Sequence, residues 1–220
     1  MDRSKWPAKA VLPIAMPGVK FVAAAILITG MFFYFGWAAT GWVSLGLTCF
    51  TGWFFRDPDR VVPEGDDLMV SPADGRVIHV QRLAPCEYVE EPCQKVSIFM
   101  NVFNVHVNRI PLDGVVDRVK YHPGRFVNAS LDKASAHNER NAVTVRTQGG
   151  SWFVFVQVAG LIARRIVNGV SIGDRVKKGE RYGMIQFGSR LDLYLPLAFD
   201  ISVAVGDRTR AGETIIGRMH

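Results

Sequence analysis

The sequence predicts a mainly β fold, a small barrel or sandwich, entered through an N-terminal apolar helical hairpin. Three features predict it. No residue from Phe21 to Phe55 carries a charge. After residue 60, runs rich in Val, Ile and Phe alternate with turn residues, and none keeps a helical period. Near the C-terminus, a strand-turn unit built on Gly-Asp occurs twice. The expected organisation is a basic tail over 1–20, a hairpin over 21–55 and a β domain over 56–220.

The tail carries Arg3, Lys5, Lys9 and Lys20. As one straight helix, the uncharged stretch would be about 50 Å long, well beyond the ~30 Å hydrocarbon core of a bilayer. Gly36 and Gly41 fall mid-run, where a turn would make two shorter helices with both ends on one side. Arg56 and Arg60 make the far flank basic as well, so the positive-inside rule places both ends on the cytoplasmic face of the cell (inner) membrane. A cleaved signal peptide would have a shorter apolar core followed by small residues. Trp42, Trp53, Phe54 and Phe55 suit an interfacial belt better. The plain alternative, a buried hairpin in a soluble domain, fits poorly with so long an apolar run.

Residues 56–67, with Pro58, Pro63, Gly65 and several charges, read as a linker. Strands are expected at Arg76 to Val80, Val96 to Met100, Gly114 to Val119, Ala142 to Thr147 and Trp152 to Val158, with a hairpin at Gln148-Gly149-Gly150. The polar segment Asn128 to Arg140 suits a short helix or a long loop. Val170-Ser171-Ile172-Gly173-Asp174-Arg175 is echoed by Val203-Ala204-Val205-Gly206-Asp207-Arg208, and Gly179-Glu180 by Gly212-Glu213 at the same offset. Such units occur in barrels and sandwiches of the lipoyl-carrier type. Two copies are too few for a solenoid, so they are expected to pair with each other across one β core.

A chain of 220 residues suits one main domain plus an appendage. The net charge of +6 favours anionic partners such as acidic lipid. Lys and Arg are scattered without a run of five, which argues against a nucleic-acid arm. Cys49, Cys86 and Cys93 are read as free thiols, with a Cys86–Cys93 bridge as the lesser alternative.

The chemistry centres on Gly188-Ser189, after the apolar run Tyr182 to Phe187. A serine hydroxyl can attack the carbonyl ahead of it, and glycine leaves that carbonyl unshielded on one side. His106 and Asp74 would complete the set that makes a hydroxyl nucleophilic. Each also has an ordinary reading. Pro72-Ala73-Asp74-Gly75 is common turn chemistry. His106 in Val105-His106-Val107 suits a half-buried core histidine, and Ser189 a plain turn serine. Tyr194 to Pro196 suits an edge strand closed by proline. His79, His122, His137 and His220 have less support.

Together the segments are more specific. Phe187-Gly188-Ser189-Arg190 resembles the self-cleavage site of phosphatidylserine decarboxylases. The resemblance extends through Ser71-Pro72-Ala73-Asp74-Gly75, Val105 to Pro111, Tyr121 to Phe126, Asn128-Ala129, Asp132-Lys133 and Asn138 to Asn141, with Phe54 to Pro58 at the domain entry. It runs in order from about Phe54 to Gly217 and is closest to the short bacterial and archaeal branch. The long branch has Leu-Gly-Ser-Thr at the cut and a second histidine where this chain has Phe103, so that histidine's role does not carry over.

The resemblance implies a membrane-bound zymogen of phospholipid biosynthesis, a carboxy-lyase. Self-cleavage would yield a large subunit 1–188 and a small subunit 189–220. Ser189 would become a pyruvoyl group that forms a Schiff base with phosphatidylserine and releases phosphatidylethanolamine and CO2. His106, oriented by Asp74, would take the serine proton. No metal and no pyridoxal phosphate are implied, and a homo-oligomer is compatible. Three other readings compete. A membrane-anchored serine hydrolase using Ser189, His106 and Asp74 would keep its chain whole, but the Gly-x-Ser-x-Gly elbow is absent. A non-enzymatic lipoyl-like carrier would need an exposed tip lysine; Lys177 and Lys178 precede Gly179 without the usual tip sequence. A pyruvoyl enzyme for soluble amino acids would have no use for the apolar hairpin.

Overall fold

The uncharged stretch folds as two helices joined by a tight turn. In the computed structural model, residues 6, 13–124, 138–160, 166–186 and 189–219 are described. They fall into two units, Lys9–Asp59, and Met1–Ala8 with Arg60–His220.

In the first unit, α1 (Met16–Tyr34) has a proline in its first turn, where the missing N–H costs nothing. It begins ahead of the charge-free run and takes in Lys20. The turn falls at Gly36, whose φ of 75° suits glycine. Gly41 lies instead inside α2 (Ala38–Phe54), against the Phe33 ring, which a Cβ there would strike. Thr29 Oγ1 shares hydrogen bonds with Ser44 Oγ at 2.7 Å and Thr48 Oγ1 at 2.9 Å. Such hydroxyl pairs fasten helices where apolar contact alone does not discriminate. At the open end, Ala15 N–H donates to the Phe55 carbonyl and Asp57 N–H to the Pro13 carbonyl. α1 is long and apolar enough to cross a membrane, with a mean hydropathy of 1.8. Leu27, Tyr34, Trp37, Trp42 and Leu47 are exposed.

The second unit is mainly β. Its strands are β1 (Leu68–Val70), β2 (Gly75–Leu83), β3 (Cys93–Met100), β4 (Val107–Arg109), β5 (Gly114–His122), β6 (Arg140–Arg146), β7 (Trp152–Val158), β8 (Ile166–Asn168), β9 (Arg175–Val176), β10 (Arg181–Ile185), β11 (Ser189–Pro196), β12 (Asp200–Ile201), β13 (Arg208–Thr209) and β14 (Ile215–Arg218). They form an eight-stranded sheet, β13-β2-β3-β11-β7-β6-β5-β9, and two three-stranded sheets, β1-β14-β12 and β4-β10-β8. The polar segment 128–140 lies mostly outside the described residues.

The large sheet is symmetric about its centre, because β13-β2-β3-β11 repeats as β9-β5-β6-β7. The backbone bonds repeat with it. Val77 N–H donates to Asp207 O at 2.9 Å and Gly206 N–H to Val77 O at 2.8 Å; Val116 N–H donates to Asp174 O at 2.9 Å and Gly173 N–H to Val116 O at 2.8 Å. The two Gly-Asp copies therefore do not pair with each other. They cap opposite edges of one sheet, each against its own long strand. One half (β4 to β10) is inserted into the other (β1 to β3 with β11 to β14). The chain crosses between halves twice, after β3 and before β11.

Alternation along β11 separates two faces. Leu191, Leu193 and Leu195 enter the main core with Ile98, Phe155 and Val143. Arg190, Asp192 and Tyr194 face the other way, where Tyr194 packs with Cys86, Cys93 and Val156. Arg190 Nε and Lys95 Nζ lie 2.9 and 3.3 Å from the Asp192 carboxylate, all three side chains buried. Tyr194 is thus no edge residue, being paired with both β3 and β7, whereas Leu195 and Pro196 pair with β3 alone. Cys86 and Cys93 are buried free thiols, and burial, followed by the Cys86 thiol, pushes the Cys93 pKa up.

At Gly75 an added Cβ would collide with the Phe99 carbonyl oxygen. Gly75→Ala is expected to cost about 2 kcal/mol by overpacking. Gly149→Ala, whose nearest neighbour is 4.0 Å away, should stay within about 0.5 kcal/mol. Denaturant midpoints of the two variants check this; equal midpoints would contradict the packing.

Candidate active site

The first crossing is a turn stitched by asparagines. Asn104 Oδ1 accepts from Asn101 N–H and Asn101 Oδ1 from Phe103 N–H, each at 2.9 Å. This turn delivers His106, fully buried, to the start of β4. His106 Nδ1 lies 2.9 Å from the Asn104 carbonyl oxygen. A carbonyl only accepts, so Nδ1 carries the proton and Nε2 is the basic nitrogen of the neutral ring.

The second crossing ends at Ser189, also fully buried, which opens β11 opposite Met100 of β3. Gly188 and Phe187 lie outside the described residues. Ser189 Oγ donates to Met100 Sδ at 3.9 Å, and Asn108 Nδ2 donates to the same sulfur at 3.7 Å. Gln157 Nε2 donates to Asn108 Oδ1 at 2.9 Å. Asn108 lies in β4, two residues on from His106. Ile185 N–H donates to the His106 carbonyl at 3.4 Å. Ser189, four residues further on, is then no more than about 14 Å from Ile185. Ser189 and His106 thus each stand at a crossing between the halves, and Asn108, two residues on from His106, shares the Met100 sulfur with the Ser189 hydroxyl.

Asp74 is placed differently from the expectation that it orients His106. Its carboxylate accepts from Arg60 Nη2 at 2.8 and 3.1 Å and from Ala211 N–H at 2.7 Å. Its described partners do not include His106. Its segment does approach β4, through Arg109 N–H donating to the Pro72 carbonyl at 2.9 Å. In the other half, Asp113 occupies the equivalent position and accepts Lys178 N–H at 2.7 Å. The bond to a backbone amide is therefore a feature of the repeat. The Arg60 clamp is particular to Asp74 among the described residues. Of the other histidines, His79 sits half-buried in β2, and His122 ends β5 with its pKa lowered by partial burial and by Arg140 and Lys120. His137 and His220 lie outside the described residues.

Sequence reasoning passed over Arg60, Met100 and Gln157. Gln157 carried a usable signal, being the one strongly polar side chain in the apolar run Phe153 to Val158. Arg60 was read only as a basic flank of the linker. The Arg60 and Asp74 side chains are 9% and 12% exposed. Breaking a pair so buried leaves an uncompensated charge, so Arg60→Ala should cost about 3 kcal/mol. Arg218→Ala, which breaks the exposed pair to Asp67, should cost less than about 1 kcal/mol. Denaturation of both variants tests the difference, and equal costs would show that the Arg60 clamp adds nothing.

The phosphatidylserine decarboxylase family profile matches residues 47–217. A phosphatidylserine decarboxylase proenzyme of Syntrophus aciditrophicus is 52% identical over 93% of this chain and 96% of its own length. One of Magnetococcus marinus is 44% identical over 100% and 98%, and one of Solidesulfovibrio magneticus 48% identical over 96% and 98%. On both the profile and these near full-length relatives, the chain belongs to the phosphatidylserine decarboxylase family.

Proposed function

We propose that this chain cuts itself between Gly188 and Ser189 and uses the pyruvoyl group so formed to decarboxylate phosphatidylserine to phosphatidylethanolamine. The observation that supports this reading is that Ser189 and His106 are both fully buried and each lies where the chain crosses between the two halves. The residues fit the group. Met100, Asn108 and Gln157, the side chains linked to the Ser189 hydroxyl, are all neutral, so none of them supplies an amine to compete with the substrate's.

The cleavage is work for the chain's own groups. His106 Nε2 accepts the Ser189 proton while Oγ bonds to the carbonyl carbon ahead of it. The C–N bond then breaks, its nitrogen takes up the proton, and an ester replaces the peptide. Loss of the Ser189 Cα proton and of the Cβ–O bond frees 1–188 with a carboxylate end. Water then hydrolyses the dehydroalanine left at 189 and releases ammonia. The pyruvoyl group supplies an electrophilic ketone, which draws electrons from the carbon that loses CO2. His106 is the residue assigned to return a proton to that carbon. The apolar hairpin and its basic flanks suit a lipid substrate at the cytoplasmic face of an anionic membrane.

Denaturing electrophoresis and intact mass are expected to show two chains, 1–188 and 189–220, the second with a blocked first residue. Ser189→Ala should give one inactive chain, and His106→Ala an uncut one. A fully active, uncut chain would overturn the reading. The protein should also sediment with membranes and require detergent for release; recovery wholly in the soluble fraction would remove the membrane assignment.

A further inference from the structure

The geometry points to a further catalytic group, Asn108. We infer that its carboxamide N–H, aimed by Gln157, donates to the oxyanion that forms when Ser189 attacks the carbonyl ahead of it. This inference rests on the self-cleavage reading above.

The orientation of both amides follows from a chain of donors and acceptors. The Val167 carbonyl can only accept, and Gln157 Nε2 lies 3.4 Å from it. That fixes the nitrogen end of Gln157, which also donates to Asn108 Oδ1 at 2.9 Å. Asn108 Oδ1 is then the accepting end, and Nδ2 must face Met100 Sδ, at 3.7 Å. A thioether is a weak acceptor, so this fully buried N–H keeps most of its capacity for a charged oxygen. Ser189 Oγ directs its own bond at the same sulfur. The attacking oxygen and the donor therefore both lie against one sulfur atom, which puts the Asn108 N–H beside the serine that attacks.

Two further observations mark the relay as functional. Gln157 Oε1 is buried without a hydrogen-bond partner among the described residues. A fold selected only for stability would do better with an apolar side chain there. Gly183 makes room for the relay, since a Cβ at that position would lie 2.8 Å from Gln157 Nε2 and 2.5 Å from the Val167 carbonyl oxygen.

The step balances. Ser189 Oγ bonds to the carbonyl carbon, its proton passes to His106 Nε2, and the carbonyl π pair moves to oxygen, where Asn108 Nδ2 donates. When that pair returns, the C–N bond breaks and the Ser189 nitrogen takes the proton from His106. No outside oxidant or reductant is needed. Removing a single oxyanion donor of this kind slows such a step by about 100-fold or more.

The test is the time course of self-cleavage of freshly translated full-length chain on phospholipid vesicles, read by denaturing electrophoresis. Asn108→Ala is expected to cut about 100-fold more slowly than wild type. Gln157→Met should cut about tenfold more slowly while melting at the same or a higher temperature, a combination that a merely structural role would not produce. Hydroxylamine, which severs esters, should not restore scission in Asn108→Ala, because the ester itself forms slowly. Cleavage of folded Asn108→Ala within threefold of wild type, or its full rescue by hydroxylamine, would overturn the inference and leave the underlying reading intact. If Asn108→Ala does not fold, Gln157→Met decides, and wild-type cleavage by that variant would overturn the inference. A wild-type chain that stays whole would overturn both.

Discussion

Strand β11 is held on both edges, by β3 along its whole length and by β7 from Arg190 to Tyr194. The rest of the site depends on this. The pairing buries Ser189 at the first position of a central strand and sets it opposite Met100. It also determines what the proposed cut can do to the fold. β11 pairs with β3 and β7, β13 with β2, and β14 with β1, so the 189–220 fragment is stitched to the large one through three sheet positions. A break ahead of Ser189 removes a connection and leaves every ladder in place.

The internal symmetry gives a reason for the position of the proposed break. Two similar halves share one sheet, and one is inserted into the other. The chain must therefore cross between them twice at the same boundary. The crossings carry His106 and Ser189, whereas the capping Gly-Asp turns lie at the far edges and serve the framework. The same symmetry helps to sort Asp74. Its bond to the Ala211 amide has a counterpart at Asp113, so that bond belongs to the architecture. Arg60 distinguishes the two carboxylates. It comes from the segment that enters the β unit and ties that segment to the turn beside β4.

Much of this was legible in the sequence. The Val- and Phe-rich runs became β2, β3, β5, β6 and β7, each lengthened at one or both ends or matched, except that β6 ends at Arg146, one residue before the expected Thr147. The charge-free stretch became a hairpin because its length exceeds a single span and Gly36 permits a positive φ. Ser189 and His106 stand out in the sequence because their flanking motifs are distinctive, and both are buried in the fold. Other features were hidden for physical reasons. The repeat was visible at its Gly-Asp turns, where backbone conformation dictates the residue. It was faint in Pro72-Ala73-Asp74-Gly75 against Pro111-Leu112-Asp113-Gly114, where only the turn chemistry is kept. Pairing between strands distant in sequence leaves no local mark, so the two copies were assigned to each other and Tyr194 to an edge. Arg60 and Gln157 act through partners more than a dozen residues away, which composition and spacing do not reveal.

Arg190 and Asp192 alternate with Leu191, Leu193 and Leu195 along β11. A strand with a freshly exposed end would ordinarily be free to creep along its neighbours. Here a shift of a single residue would drive a guanidinium and a carboxylate into the hydrocarbon interior and push the leucines toward Lys95. On the proposed cleavage, the charges would act as a ratchet pawl, keeping the new terminus at one address once the covalent tether that set it there had gone.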